Sequence, residues 1–144
     1  MKPRSVLLEV FVRRLYPGML AASVWMLLRG HNEPGGGFIG GMIAVAATAM
    51  FAVAFGSESA LERIPRGPMG LSSAGVMLSL ASGLPAVAFG RPYLTHLWGE
   101  LPLGFASVKV STVLAFDLGV YLAVWGALGG LAAHAIGIDE EARP

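Results

Sequence analysis

Long stretches without charge restrict the fold of this chain more than any other feature of its sequence. Residues Gly36–Phe55 and Met69–Phe89 contain no charged side chain, and Val110–Ile138 is interrupted only by Asp117 and His134. A helix rises about 1.5 Å per residue, so about 20 apolar residues span the roughly 30 Å hydrocarbon core of a bilayer. Lipid offers the backbone no hydrogen-bond partners, so a single spanning stretch must be helical. The three stretches therefore predict three transmembrane helices.

The composition agrees with a membrane protein. Hydrophobic residues make up 55% of the 144 residues and charged residues 13%, whereas ordinary soluble domains contain about 25% charged residues. The net charge of +1 gives no electrostatic reason to expect nucleic acid as a partner. The absence of cysteine excludes disulfides, thiolate zinc sites, iron–sulfur ligation and cysteine nucleophiles.

The first apolar stretch, Leu15–Leu28, is shorter than the others. Its 14 residues cover only about 21 Å as a helix. Arg13 and Arg29 can lengthen the span because their heads can snorkel to the membrane interfaces, and the apolar residues before Arg13 allow an earlier start. Glu9 and Arg13 also interrupt the run that a cleavable signal peptide would need. We therefore expect a retained first helix.

These stretches predict an all-α integral membrane protein, a bundle of four transmembrane helices with short loops. We expect one domain over residues 1–144, with helices at about 8–29, 36–56, 68–89 and 108–136. Four spans place both termini on the same side, and that side has seven Lys and Arg residues against three on the other. The excess predicts cytoplasmic termini. The seven are Lys2, Arg4, Arg13, Arg14, Arg63, Arg66 and Arg143, and the three are Arg29, Arg91 and Lys109.

Small residues recur every four positions along the predicted helices. The second helix has Gly36, Gly40, Ala44, Thr48, Ala52 and Gly56; the third has Gly75, Ser79 and Gly83; the fourth has Gly119, Ala123 and Ala127. Small residues allow helix backbones to approach closely in lipid. Four helices packed against one another need fewer small-residue faces than the chain offers. The excess favours further membrane subunits that pack against the remaining faces. The alternative is that membrane helices are simply rich in Gly and Ala.

Asp117 is the one acidic residue well inside an apolar stretch. A carboxylate there costs a few kcal/mol on insertion scales, so it usually faces a cavity, a partner or an ion path. Lys109 lies eight residues earlier, about 12 Å along the same predicted helix, and either shares a polar path or marks the helix end. His96 could relay protons or lie at the interface. No set of nucleophile, base and acid is present, so we do not expect an enzyme.

The segment from Gly30 to Gly41 is rich in glycine and contains a formal G-x-G-x-x-G at Gly35, Gly37 and Gly40. A dinucleotide-binding interpretation requires a preceding strand, whereas a membrane helix precedes this motif. The glycines instead predict a tight turn at the membrane surface, where positive φ and close packing are needed. A metal site there would require further ligands, and we expect no bound metal or cofactor.

Three segments together resemble the MrpB or MnhB subunit of the multisubunit Mrp cation/proton antiporters. They are Gly30-His31-Asn32 with Pro34-Gly35-Gly36-Gly37-Phe38-Ile39-Gly40-Gly41, then Phe89-Gly90-Arg91-Pro92-Tyr93-Leu94-Thr95-His96, and then the segment from Thr112 to Gly126. The resemblance covers about residues 10–135. It implies four helices in a bacterial plasma membrane and a complex with subunits of the A, C, D, E, F and G types, which exchanges Na⁺ for H⁺.

The resemblance also implies which positions matter. The residues that match the family's loop motif are His31, Pro34, Gly35, Gly36, Gly37 and Phe38. The candidates for an ion path are Asp117, which also matches the family, and the polar residues Lys109, Thr112 and His96. Two alternatives stay open: a similar small subunit of a membrane-bound hydrogenase or related respiratory complex, and a stand-alone homo-oligomeric channel.

Overall fold

The structure is a computed structural model that describes residues 6–30, 35–95, 97–102 and 107–142, with the backbone alone at 98–102, 107–110, 140 and 141. The helices are α1 (Val6–Arg29), α2 (Gly36–Phe55), α3 (Ser57–Leu61), α4 (Gly67–Ala81), α5 (Leu84–Ala88), α6 (Thr112–Val124) and α7 (Gly130–Glu141), with a π-helical turn at Trp125–Gly129 between the last two. Strands β1 (Trp98–Pro102) and β2 (Ser107–Ser111) precede α6.

Three of the described helical segments are long and apolar enough to cross a membrane: Gly36–Phe55, Gly67–Ala88 and Thr112–Asp139. The helix α1 has 24 residues, but Glu9, Arg13 and Arg14 reduce its hydropathy. The fold is therefore helical, as predicted, with three candidate membrane spans.

The helix α2 lies at the centre of the bundle, in contact with α1, α6, the π-helical turn and α7, while α4 packs against α6 and the π-helical turn. Two groups of buried side chains fill the interior. One joins Val12 and Tyr16 of α1 to Phe51 of α2. The other joins Leu27 of α1 to Tyr121 and to residues of α2, α4 and the π-helical turn.

The small residues of α2 are buried against helices of the same chain. The six positions from Gly36 to Gly56 at four-residue spacing are all buried. A methyl group at Gly40 would meet Ser23 and Leu27 of α1, and one at Gly75 of α4 would overlap Gly119 and Ala123 of α6. The prediction of close helix packing is therefore confirmed. The stripe of α2 is covered by the chain's own helices rather than by other subunits, whereas Ala127 in the stripe of the predicted fourth helix is exposed.

The third predicted helix, 68–89, is interrupted at Ser82–Gly83, where α4 ends and α5 begins. Pro85 at the start of α5 provides no backbone N–H donor, which weakens the continuity of the helix. Tyr93 fits into the break: its ring packs against Gly83, and its hydroxyl donates a 2.6 Å hydrogen bond to the carbonyl of Leu80. The break is therefore held by a residue from the following loop.

The predicted fourth helix begins later than expected, at Thr112 rather than 108. Residues 107–111 instead form β2, which pairs antiparallel with β1 and places Lys109 opposite Glu100. The β-branched Val108 and Val110 alternate with polar residues, a pattern that favours a strand. Lys109 thus lies on a strand, so its predicted position 12 Å along the helix of Asp117 is wrong.

Candidate functional site

Three polar or amphipathic side chains occupy one face of α6 and the π-helical turn at four-residue spacing. Asp117, Tyr121 and Trp125 are 8%, 4% and 8% exposed, respectively. Residues four apart lie above one another on an α-helix, so the three form a line through the interior of the bundle. We call this line, with its partners Ser23 and Thr48, the polar column.

The hydrogen bonds of the polar column connect α6 to α1. The hydroxyl oxygens of Tyr121 and Ser23 are 2.9 Å apart. Ser23 donates its own hydroxyl proton to the carbonyl of Leu20 at 2.8 Å. Because a serine hydroxyl has one proton, Tyr121 must donate to Ser23. The hydrogen bonds therefore run in one direction, from the hydroxyl group of Tyr121 to that of Ser23 and from there to a backbone carbonyl.

A second set of hydrogen bonds connects the π-helical turn to α2. Trp125 donates its indole N–H to Thr48 Oγ1 at 2.9 Å, and Thr48 donates to the carbonyl of Ala44 at 2.9 Å. An indole nitrogen donates but does not accept, so protons cannot be relayed through Trp125. These hydrogen bonds orient the π-helical turn relative to α2.

The turn that begins at Trp125 is π-helical. Such turns are rare and often occur at functional sites. Here small residues in the turn and at the start of α7 face the start of α4: a methyl group at Gly126 would meet Ser72 and Pro68, and one at Gly130 would overlap the Pro68 ring. The wider turn thus lies at a tight helix contact, immediately beyond the last member of the polar column.

Asp117 lies where three helices meet. A methyl group at Gly37, in the first turn of α2, would overlap the backbone of Asp117. From α4, the Ser79 hydroxyl donates to the carbonyl of Phe116 at 3.3 Å and packs against Gly119. The glycine motif and the Asp117 segment, which are far apart in sequence, are therefore in direct contact, and α2 and α4 pack against the backbone of α6 around the buried Asp117.

The other residues of the glycine motif have separate structural tasks. Gly35 precedes α2 with φ 99°, in the left-handed region that favours glycine. Gly36 packs directly against Gly30, which brings the end of α1 to the start of α2. Phe38 is 53% exposed and faces outward from the bundle. His31 and Pro34 lie outside the described residues.

Of the remaining ion-path candidates, Thr112 alone has a side chain that the structure describes. Thr112, five residues before Asp117, accepts a 3.1 Å hydrogen bond on its hydroxyl from the backbone N–H of Leu97, and so fastens the residue before β1 to the start of α6. Lys109 lies on β2, and only its backbone is described. His96 lies outside the described residues. Among the described residues, no group of three or more His, Asp and Glu side chains could hold a metal ion.

Sequence reasoning missed four members of the polar column: Ser23, Thr48, Tyr121 and Trp125. The spacing of Asp117, Tyr121 and Trp125 was a usable signal, because positions i, i+4 and i+8 share one face of a helix. Nothing comparable marks Ser23, and Thr48 was singled out only as a small residue of the second helix. Their hydrogen bonds depend on how α1 and α2 align with α6, so these roles emerge only from the packing.

Comparisons with known proteins identify the family. A family model described as a domain related to the MnhB subunit of Na⁺/H⁺ antiporter matches residues 7–130. The chain is 32% identical over 127 residues to the B-type Na⁺/H⁺ antiporter subunit of Bacillus subtilis (strain 168), a match that covers 87% of this chain and 88% of the relative. It is 34% identical over 128 residues to the corresponding antiporter subunit of Alkalihalophilus pseudofirmus, with 88% of each chain covered.

A solved structure has the same fold. The structure of the Mrp complex from Dietzia sp. DQ12-45-1b contains a chain that matches with a TM-score of 0.76 at 33% identity, over 96% of this chain. The match covers 15% of that much longer chain. The family model spans most of the sequence, and both curated relatives are more than 30% identical over nearly their full length. This chain belongs to the MnhB family.

Proposed function

We propose that this chain is the MnhB-type subunit of a multisubunit Na⁺/H⁺ antiporter in a bacterial cell membrane. The observation that carries the proposal is the likeness to two proteins named as antiporter subunits of this type, over 88% of the length of each. It favours an antiporter over a hydrogenase-type complex or a stand-alone channel. The partners are the other subunit types of an Mrp complex, and Na⁺ and H⁺ are the ions that the whole complex carries, with no cofactor in this chain.

We further propose that α1 is a fourth membrane span. Its last turn touches the first turn of α2, at Gly30 and Gly36. At the other end, the rings of Tyr16 and Phe51 are 5.0 Å apart. The two helices thus run antiparallel beside each other over nearly the length of α2. A helix that follows a membrane-spanning neighbour over that distance crosses the same layer, with Arg13 and Arg29 near its two surfaces.

Within the antiporter, the role of this chain is to hold membrane helices together and to contribute Asp117 to a cation or proton path. The support is the burial of Asp117 at a junction of three helices and its alignment with the hydroxyl group of Tyr121. Intramembrane carboxylates commonly mark ion and proton pathways. The polar column also stabilises the bundle, since a buried polar group without a partner costs about 1–3 kcal/mol.

Deletion of this chain tests the antiporter proposal. Inverted membrane vesicles from cells that lack it are expected to lose Na⁺-driven proton movement, measured with a pH-sensitive dye. Expression of the chain from a plasmid is expected to restore it. Immunoblots of the other subunits serve as the control for their presence. Undiminished antiport in vesicles without the chain would contradict the proposal.

We propose that both termini face the cytoplasm, on the strength of the seven-to-three excess of Lys and Arg on their side. The chain has no cysteine, so single introduced thiols can report orientation. Ser59→Cys, in α3, and Arg91→Cys, beyond α5, are both at exposed positions. A membrane-impermeant maleimide is expected to label the first in inverted vesicles and the second in right-side-out vesicles. The reversed pattern would overturn this orientation.

A further inference from the structure

We propose that the end of the bundle where α2 meets α3 contains a binding site for the headgroup of an anionic phospholipid. An open pocket of about 500 Å³ lies there, lined by Arg13 of α1, by Phe51 and Phe55 of α2, and by Ser59, Glu62 and Arg63 in and after α3. We call it the arginine pocket. Its volume is in the range of about 300–1,000 Å³ that small-molecule sites occupy.

The two guanidinium groups of the arginine pocket are held in place by aromatic rings. The guanidinium carbon of Arg63 lies 4.3 Å from the ring centre of Phe51 and 5.3 Å from that of Tyr16. That of Arg13 lies 5.6 Å from the ring centre of Phe55. Stacking restricts the side chains before any ligand arrives, and this restriction reduces the entropy that binding would cost.

The charges of these arginines remain available to a ligand. Both side chains are exposed, and in the described part of the chain neither forms an ion pair. The lining includes one carboxylate, Glu62, so the pocket keeps an excess of positive charge. Guanidinium groups present planar pairs of N–H donors that match a phosphate group.

The position of the arginine pocket favours a lipid over other anions. Phe55 is the last residue of α2, whose 20 residues cover about 30 Å, so the pocket lies at the edge of the hydrocarbon layer. Toward the membrane interior, Leu15–Leu28 of α1 and the whole of α2 contain no charged residue and can accommodate acyl chains. Basic pockets between helices at this depth are typical sites for anionic lipid headgroups. The inference does not depend on antiport activity.

A binding measurement on the wild-type chain provides the first test. The full chain is purified in mild detergent with any subunits that accompany it, and native mass spectrometry counts retained lipid after addition of equal amounts of phosphatidylglycerol or phosphatidylcholine. Preferential retention of phosphatidylglycerol is expected, and inorganic phosphate at millimolar concentration is not expected to displace it. Equal retention of the two lipids would overturn the proposal. Displacement by inorganic phosphate would overturn the lipid assignment.

Charge-matched variants locate the site. Arg13→Gln with Arg63→Gln removes both guanidinium groups of the pocket and is expected to weaken phosphatidylglycerol retention by roughly tenfold or more. Arg14→Gln with Arg66→Gln removes the same charge from nearby exposed positions outside the lining and is expected to change retention by less than about threefold. Equal losses in the two pairs would mean general surface attraction and would contradict a defined site.

A third pair of substitutions and a folding control distinguish loss of the lipid site from misfolding and from binding of a neighbouring protein. Arg13→Lys with Arg63→Lys keeps the charge but loses the planar fork, and an intermediate loss of lipid is expected. Melting curves in detergent report folding of each variant. If the Gln pair keeps its lipid but loses co-purifying subunits, the arginines bind an acidic side chain of a neighbouring protein, and the lipid proposal is wrong.

Discussion

The two ends of the α1–α2 helix pair are held by different kinds of contact. At one end, which we call the glycine end, Gly30 packs on Gly36, and Gly37 packs on the backbone of Asp117. At the other, the arginine end, Arg63 stacks on Tyr16 and Phe51, and a pocket of about 500 Å³ remains open. Backbones touch at the first end, whereas large side chains separate them at the second.

The two kinds of contact suit two different requirements: a fixed spacing of helices inside the membrane and a surface that can bind a ligand. Close backbone contact leaves no freedom in the spacing of helices around Asp117, and such packing is what lipid-embedded helices use in place of a hydrophobic driving force. Stacked aromatic and guanidinium groups tolerate small displacements and keep charge near the membrane surface. The glycine end is therefore suited to hold a fixed internal geometry, and the arginine end to meet a ligand from outside.

The largest effect is expected from a single methyl group at the glycine end. Gly37→Ala places a Cβ within overlap distance of the Asp117 backbone, which a rigid helix cannot relieve by rotating a side chain. Overpacking of this kind typically costs about 1–3 kcal/mol, and occasionally more. A clear fall in melting temperature and in the amount of folded chain in membranes is expected.

Gly18→Ala is the matched control for that substitution. Gly18 is also in a helix, but no atom lies within 4 Å of the position of its missing Cβ. Alanine favours a helix over glycine by up to about 1 kcal/mol, so this variant is expected to be as stable as the wild-type chain or slightly more so. Similar destabilisation of both variants would contradict the proposal that Gly37 is sensitive because its backbone contacts another helix.

The next largest effect concerns function rather than stability. Asp117→Asn keeps the shape of the side chain but removes its charge and its ability to carry a proton. Vesicles with this variant are expected to lose most of their Na⁺-dependent antiport while the complex still assembles. Asp139→Asn, at an exposed position near the end of the same span, is expected to retain activity. Unchanged antiport and Na⁺ dependence in Asp117→Asn would show that Asp117 is neither an ion ligand nor a proton carrier.

The sequence predicted the elements of this site better than their contacts. Uncharged runs located α2 to within one residue at its end, and Asp117 was conspicuous as a lone acid in an apolar run. The small-residue spacing predicted close packing correctly, but it could not show which helix would fill each groove. Spacing along one helix contains no information on its neighbours, so it could not show that the chain's own helices cover the stripe of α2.

The break before α5, the strand β2 and the polar column were not predicted, and each has a local or a tertiary cause. Average hydropathy does not detect that Val108 and Val110 alternate with polar residues, nor that Pro85 lacks a backbone N–H donor. Both signals are present in the sequence. The pairing of Ser23 with Tyr121 has no local signal at all, because it depends on the relative register of α1 and α6. Serine within an apolar helix is otherwise unremarkable, since it can donate to its own backbone, as Ser23 does.

A smaller effect is expected from the hydrogen bond between α1 and α6. Tyr121→Phe removes the hydroxyl donor and leaves Ser23 bonded to Leu20, which should cost about 0.5–1.5 kcal/mol. Ser23→Ala leaves the buried Tyr121 hydroxyl without this acceptor and should cost more than Tyr121→Phe but less than Gly37→Ala. The double variant should be less destabilised than the sum of the two. Additive losses in melting experiments would mean that the two hydroxyl groups do not act as a pair.

The smallest effect on stability is expected at the arginine end. Arg63→Gln removes two cation–π contacts, each worth about 0.5–1 kcal/mol at exposed sites, and nothing in the described structure depends on the charge for an ion pair. The melting temperature should therefore fall much less than in Gly37→Ala, measured in the same detergent. Added phosphatidylglycerol should raise the melting temperature of the wild-type chain more than that of the variant, because a ligand stabilises only the state that binds it. A loss as large as that of Gly37→Ala would mean that the arginines hold the bundle together, and the contrast between a fixed glycine end and a ligand-binding arginine end would fail.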